Sequence, residues 1–343
     1  MSTPIIILDG ALGTLLCDTT SPEASASPLW SSIDLLHNPS RLADVHAQYI
    51  KAGAGCIETA TYQLCRETLL RSGVSDEDQM RKICHAAMQL AVDATKDLKP
   101  TGNNNNNNAS VALSLGPYGM CLHPSQEYSG VYPPPYNTDS ADAVNSLEKW
   151  HRDRLQEFQK ASHDAFEQMY ILAFETVPYK RVDEISAIRR VIDSEEFKGR
   201  KAWISMVYTE VPSERVIGRV TRKVFEDIPL GSAQRGIGIN CTKLENVREI
   251  VRVYSKTITD MRLRKEGVFL VLYPDGGLTY DVNTKIWSDE NGMAEVEKWC
   301  KLLQEIVEEA VNVGCWGSII IGGCCKTTPE HISELSRTFA AIQ

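Results

Sequence analysis

No stretch of this sequence approaches the ~20 consecutive apolar residues of a membrane span. The opening Met1-Ser-Thr-Pro-Ile-Ile-Ile has no basic stretch followed by a signal-length apolar segment. A cytoplasmic location is therefore expected, with no membrane partner. Basic excess is also missing: 36 Lys and Arg stand against 45 Asp and Glu, a net charge of −9. Such a balance disfavours nucleic acid and anionic surfaces and favours a small cationic ligand. The chain has no Cys-x-x-Cys spacing either, which removes the local signature of a structural zinc module. In a reducing compartment its 10 cysteines are expected as thiols or metal ligands rather than as a disulfide framework.

Three of those cysteines sit in informative places. Cys241 closes the run Gly236-Ile-Gly-Ile-Asn-Cys241, and Cys324 and Cys325 close Ser318-Ile-Ile-Ile-Gly-Gly-Cys-Cys325. Both runs read as short buried strands, β-branched and uncharged. Adjacent residues on a strand face opposite ways, so Cys324 and Cys325 converge only where the strand has ended, a bend that Gly322 and Gly323 permit. Three thiolates suit zinc and leave one open position, as in a catalytic site. A thiol entering that position would lose its proton and become a nucleophile at neutral pH.

Apolar runs alternate with amphipathic helical stretches along the chain. The runs are Ile5 to Leu8, Cys56 to Thr59, Val111 to Leu115, Ile171 to Phe174, Ala202 to Val207, Gly236 to Ile239, Val268 to Leu272 and Ser318 to Ile321. Repeated βα units imply a parallel sheet, and eight imply closure into a (β/α)8 TIM barrel with the cysteine site at its C-terminal face. An open doubly wound sheet is the competing architecture. We expect one domain over 1–343, with a disordered asparagine-rich loop at about 101–109. Leu42, Val45, Tyr49 and Ile50 mark one helix face after the start signal Asn38-Pro39-Ser40. Thr327-Thr-Pro-Glu330 reads as a capping box opening the last helix. Long loops at about 17–38, 117–139 and 275–291 all follow strands, on the rim where barrel active sites are built.

Two strand ends carry acids. Asp9-Gly-Ala-Leu-Gly-Thr14 lacks both the dinucleotide spacing and a P-loop lysine. Its better use is a turn whose Gly10 and Ala11 amides hold a small carboxylate, with Asp9 alternatively capping the turn. Glu175, directly after Phe174, asks for a cationic partner such as an ammonium group, or else serves as the N-terminal acid of the next helix. Trp30, Tyr62, Tyr118, Tyr128 and Tyr132 lie in or beside the rim loops, where aromatic faces attract a sulfonium or ammonium cation.

Taken together these residues resemble the homocysteine S-methyltransferase family over nearly the whole chain. The resemblance rests on Asp9-Gly-x-x-Gly-Thr14, Leu29-Trp30, Thr61-Tyr-Gln63, Gly116-Pro-Tyr-Gly119, Glu127-Tyr-x-Gly130, Glu175-Thr-x-Pro178, Gly238-x-Asn-Cys241, Tyr273-Pro274, Tyr280-Asp281 and Gly322-Gly-Cys-Cys325. It implies a zinc-dependent enzyme with Zn2+ on Cys241, Cys324 and Cys325 and homocysteine as the fourth ligand, methylated to methionine. It further implies Glu175 on the homocysteine amine and the Asp9, Gly10, Ala11 turn on its amino-acid end. Trp30, Tyr62, Tyr118, Glu127, Tyr128 and Asn240 would complete the substrate site. The implied donor is S-methylmethionine or S-adenosylmethionine, with betaine as runner-up and selenocysteine as an alternative acceptor. The sequence ends shortly after its last helical stretch, which favours a small sulfonium donor over cobalamin- or folate-linked transfer. Asp275, Gly276 and Leu278 depart from the family pattern on the donor-side loop.

Two other classes compete with the enzyme. A structural zinc barrel would close the site with Cys17 or Cys121, and a redox protein would pair Cys241 with Cys324 or Cys325. A monomer or small homo-oligomer is expected.

Overall fold

The computed structural model describes residues 3–17, 27–98, 108–137, 140–228, 233–281, 286–289 and 292–340. Strands β1 (Ile5–Ile7), β2 (Cys56–Glu58), β3 (Ser110–Leu115), β4 (Ile171–Pro178), β5 (Lys201–Val207), β6 (Arg235–Asn240), β7 (Val268–Tyr273) and β10 (Ser318–Ile321) form one parallel sheet. Its order is β1-β10-β7-β6-β5-β4-β3-β2. A parallel bridge from Leu8 to Cys56 joins β1 back to β2 and closes the ring. A helix follows each strand, so the chain is the (β/α)8 barrel that the eight β-branched runs predict. Strands β8 (Thr279–Asp281) and β9 (Ile286–Ser288) form a separate antiparallel pair on the loop after β7.

Closure is possible because the inner face alternates bulk with space. Cys56, Ala112 and Ala173 are small, while Trp203 and Phe269 reach across from β5 and β7. Between those two strands β6 offers Gly236, where a Cβ would stand 2.4 Å from the Phe269 ring. Gly236→Ala is therefore expected to overpack the interior and cost about 1–3 kcal/mol, read as a lower denaturant midpoint at unchanged slope. Outside the ring, the helix Pro39–Lys51 buries Leu42, Val45, Tyr49 and Ile50, the predicted face. Among the described residues no helix is long and apolar enough to cross a membrane.

Two local expectations need correction. β4 runs past Phe174 to Pro178, with its register against β5 shifting between Phe174 and Val177 and Thr176 at φ 56°. Glu175 thus sits within a strand, at a bulge that re-aims it. The last helix begins at Pro329, and at its start His331 Nδ1 accepts the Thr328 amide at 3.2 Å. Thr327 is engaged elsewhere: its Oγ1 donates to the Cys324 carbonyl at 2.7 Å and accepts the Ala11 amide at 3.1 Å. The asparagine tract at 101–107 lies outside the described residues.

Candidate functional site: a thiol and carboxylate cavity at the barrel mouth

The carboxyl ends of the strands enclose a cavity of about 420 Å³. Its wall includes Asp9, Gly10 and Ala11 after β1, Glu175 on β4, and Cys241, Cys324 and Cys325 after β6 and β10. Trp30, Tyr62, Glu127 and Tyr128 reach it from the rim loops. Two expected residues do not line it. Tyr118 packs among Tyr132, Tyr136 and Trp150, with its Tyr136 ring centroid only 4.1 Å away. Asn240 is fully buried behind the wall.

Asn240 instead holds the wall in place. Its Oδ1 accepts the Thr176 amide at 2.8 Å, and its Nδ2 donates to Thr176 Oγ1 at 2.7 Å and to Cys241 Sγ at 3.4 Å. This clasp spans the bulge of β4 and the left-handed turn at Cys241, φ 47°. The glycines before the other two cysteines have no room for a side chain. A Cβ on Gly322 would meet the Asp9 carbonyl at 2.5 Å, and one on Gly323 would meet Thr327 at 2.4 Å. The last strand is thereby drawn against the first, and Gly323 donates its amide to the Asp9 carbonyl at 3.2 Å.

The sulfur atoms of Cys241, Cys324 and Cys325 lie within 4.8 Å of one another. Three thiolates at about 2.3 Å from one tetrahedral centre stand about 3.8 Å apart, and the Cys324 and Cys325 sulfurs are separated by 3.9 Å. Against the expectation of three free thiols, Cys241 and Cys324 are paired as a disulfide, with Cα atoms 5.5 Å apart. That spacing is one at which disulfides form when no ion separates the sulfurs. Disulfide sulfur has no charge to offer a cation, so the donor set fits a soft metal in its reduced form. Cys325 is a free thiol, pushed up to about 11 by burial and then by Asp275, with the Tyr128 hydroxyl bonded to it. Among the described residues no fourth Cys, His, Asp or Glu joins this group. Cys121, the alternative structural fourth ligand, groups instead with Cys65 and Glu67; the Cys17 side chain lies outside the described residues.

Four carboxylates also stand in the wall, those of Asp9, Glu58, Glu127 and Glu175. Burial pushes Glu175 up to about 7, against the hydroxyls of Ser114 and Tyr273 that bond it. Glu58, at the end of β2, is also in the wall and was not singled out from the sequence. The signal was present, since Glu58 directly follows the buried pair Cys56 and Ile57 as Glu175 follows Phe174. Burial raises Asp9 and Glu58 well above the carboxylate range, and the charge of Glu175 adds to both. The Glu58 amide donates to Asp9 Oδ2 at 2.9 Å, while Asp9 Oδ1 and Glu58 Oε1 are buried without partners. No lysine or arginine lines the cavity among the described residues. The Ala11 amide is already taken by Thr327, so of the two amides expected to hold a carboxylate it is not free to do so.

Buried Arg154 fixes the loop after β2. Its guanidinium donates to the carbonyls of Leu64, Gly116, Thr61 and Tyr62 at 2.7–3.1 Å, which sets where Tyr62 meets the cavity. One turn earlier, His151 Nε2 donates to Glu184 Oε1 at 3.0 Å. Glu184 also accepts the Tyr118 amide at 2.6 Å and the Tyr132 hydroxyl at 2.5 Å, which anchors the loop carrying Glu127 and Tyr128.

Comparison with known proteins gives this geometry a context. The family model described as homocysteine S-methyltransferase matches residues 6–339. Homocysteine S-methyltransferase 1 of Arabidopsis thaliana is 30% identical over 338 residues, 96% of this chain and 92% of that protein. Crystal structures of the homocysteine methyltransferase MmuM from Escherichia coli superpose in a metallated and an oxidized form, each with a TM-score of 0.67. Their identities are 25% and 26%, and each covers 97% of this chain and 96% of that one. The chain belongs to the homocysteine S-methyltransferase family and is a methyltransferase.

Proposed function

We propose that this enzyme methylates the thiol of homocysteine from a small sulfonium donor, S-methylmethionine or S-adenosylmethionine, with zinc held by reduced Cys241, Cys324 and Cys325. The observation that carries this reading is the gathering of those sulfurs within 4.8 Å on the wall of an acid-lined cavity. A relative known in both metallated and oxidized forms supports it, since sulfurs close enough to pair as a disulfide are, when reduced, close enough to hold one metal ion. Zinc, when bound, lowers the pKa of a thiol so that it reacts as thiolate.

The protein does the rest. Glu175 and Asp9 take the acceptor's ammonium, which suits two buried acids in a wall without cations. Asn240 and Thr176 hold the Cys241 sulfur in register. Trp30, Tyr62 and Tyr128 shape the side on which a sulfonium approaches, and they keep water away from it. As the acceptor sulfur attacks, its bond to the methyl carbon forms while the donor's sulfur–methyl bond breaks. The bonding pair returns to the donor sulfur, which leaves as a neutral sulfide, and the acceptor's thiol proton passes to solvent. Opposite charges are neutralised on reaction, so a dry cavity helps. We place the reaction in the cytoplasm, where reducing conditions keep Cys241 and Cys324 as thiols.

Methionine formation from homocysteine tests this directly, with S-methylmethionine, S-adenosylmethionine and betaine compared under reductant. Turnover is expected with at least one sulfonium and none with betaine. Turnover with betaine alone would overturn the donor assignment.

A further inference from the structure

Two acids in the cavity wall, Glu58 and Glu127, have no part in that scheme, and Glu58 is the one bonded through its amide to Asp9. Glu58 stands on the wall beside Asp9, and each keeps a buried carboxylate oxygen with no hydrogen-bond partner. Burying a carboxylate without a partner is costly, and three acids on the wall of one ligand cavity, with no lysine or arginine among the described lining residues, mark where a cation belongs. The three carboxylates do not gather closely enough to form a metal-ligating group among the described residues. An ammonium nitrogen, bonded at about 2.7–2.9 Å to each acceptor, spans a wider gap than a metal ion and brings three N–H donors.

Resting on the proposed reaction, we infer that Glu58 is a specificity-determining residue that binds the acceptor's ammonium group together with Asp9 and Glu175. Its side chain completes a three-acceptor cup, and its amide, bonded to Asp9 Oδ2, keeps the neighbouring carboxylate turned toward the same place. The acceptor is accordingly an α-amino thiol, and a thiol acid without the amine loses the contacts of this cup. The resulting excess of negative charge is eased by the second positive centre in the reaction, the donor's sulfonium.

Glu58→Gln isolates the charge, because it preserves size and leaves the backbone bond to Asp9 intact. Calorimetric titration of the reduced, metal-loaded enzyme compares L-homocysteine with 4-mercaptobutanoate, the same thiol acid lacking the amine. The variant is expected to weaken homocysteine about 10- to 100-fold and to change 4-mercaptobutanoate by less than about twofold. Kinetically, KM for homocysteine should rise with kcat nearly unchanged, and Glu58→Asp should recover part of the loss. Equal weakening of both ligands, or a homocysteine affinity within twofold of wild type, overturns the assignment. Should 4-mercaptobutanoate bind neither protein, the homocysteine affinity decides alone. Wild-type enzyme that binds homocysteine but forms no methionine sinks the proposed reaction, and the role of Glu58 is then decided by the titrations. Wild-type enzyme that does not bind homocysteine overturns both.

Discussion

Cys325→Ser should lose at least about 10³-fold in methyl transfer and release most of the bound metal. The size follows from two losses. An unassisted thiol is only a few per cent ionised near neutral pH, which costs roughly 30-fold. Fixed placement of the reacting sulfur is worth several further powers of ten in effective concentration, of which even a small part brings the total past 10³. Cys325 is the informative choice because it stands outside the Cys241–Cys324 pair. If that pair acted alone as a redox disulfide, the change would be silent. Metal content by mass spectrometry, methionine formation and a thermal melt separate the outcomes. A serine variant that folds, keeps its metal and stays within tenfold of wild-type activity would remove the three-sulfur site from consideration.

The second large effect concerns stability. Glu184→Ala is expected to cost about 3–5 kcal/mol, because it strands three buried donors at once. Although burial works to raise it, hydrogen bonds from His151, Tyr132 and the Tyr118 amide hold Glu184 below the ordinary carboxylate range. Burial likewise lowers His151, so the ring is neutral and donates through Nε2. Both shifts act in the same direction on the pH dependence. The unfolded chain takes up protons on His151 below about pH 6.5 and on Glu184 below about pH 4.3, before the folded protein does. Stability from this pair is therefore present at neutral pH and lost as pH falls. Urea unfolding of the wild type between pH 4 and 7.5 checks it: the denaturant midpoint should fall toward acid as His151 of the unfolded chain takes up its proton. A midpoint that rises on acidification would mean that the histidine is protonated in the folded protein.

The barrel was legible because each strand is a short, uncharged, β-branched run, and such runs say both that a segment is a strand and that both its faces are covered. Cys241, Cys324 and Cys325 were legible for the same reason, since strand ends in a parallel barrel share one rim. The misses have a common cause. Tyr118 and Asn240 sit in motifs next to the cavity, yet which way a side chain turns depends on contacts with residues far along the chain, Trp150 for one and Thr176 for the other. Ala11 was assigned a free amide, but Thr327 reaches it across the ring. Glu58 was missed because the apolar pattern carries its run on to Thr59, which places it inside the run, whereas Glu175 follows the run ending at Phe174.

The seam of the ring lies between its first and last strands, and half the cavity wall belongs to residues at that seam. About 300 residues separate β1 from β10. At roughly 5–20 residues per second a ribosome needs about 15–60 s to make that stretch. Throughout that interval the nascent β1 has no partner on one edge, and Asp9 faces a gap where Gly323 will stand. The cavity is therefore completed only once β10 has emerged, as one event with ring closure.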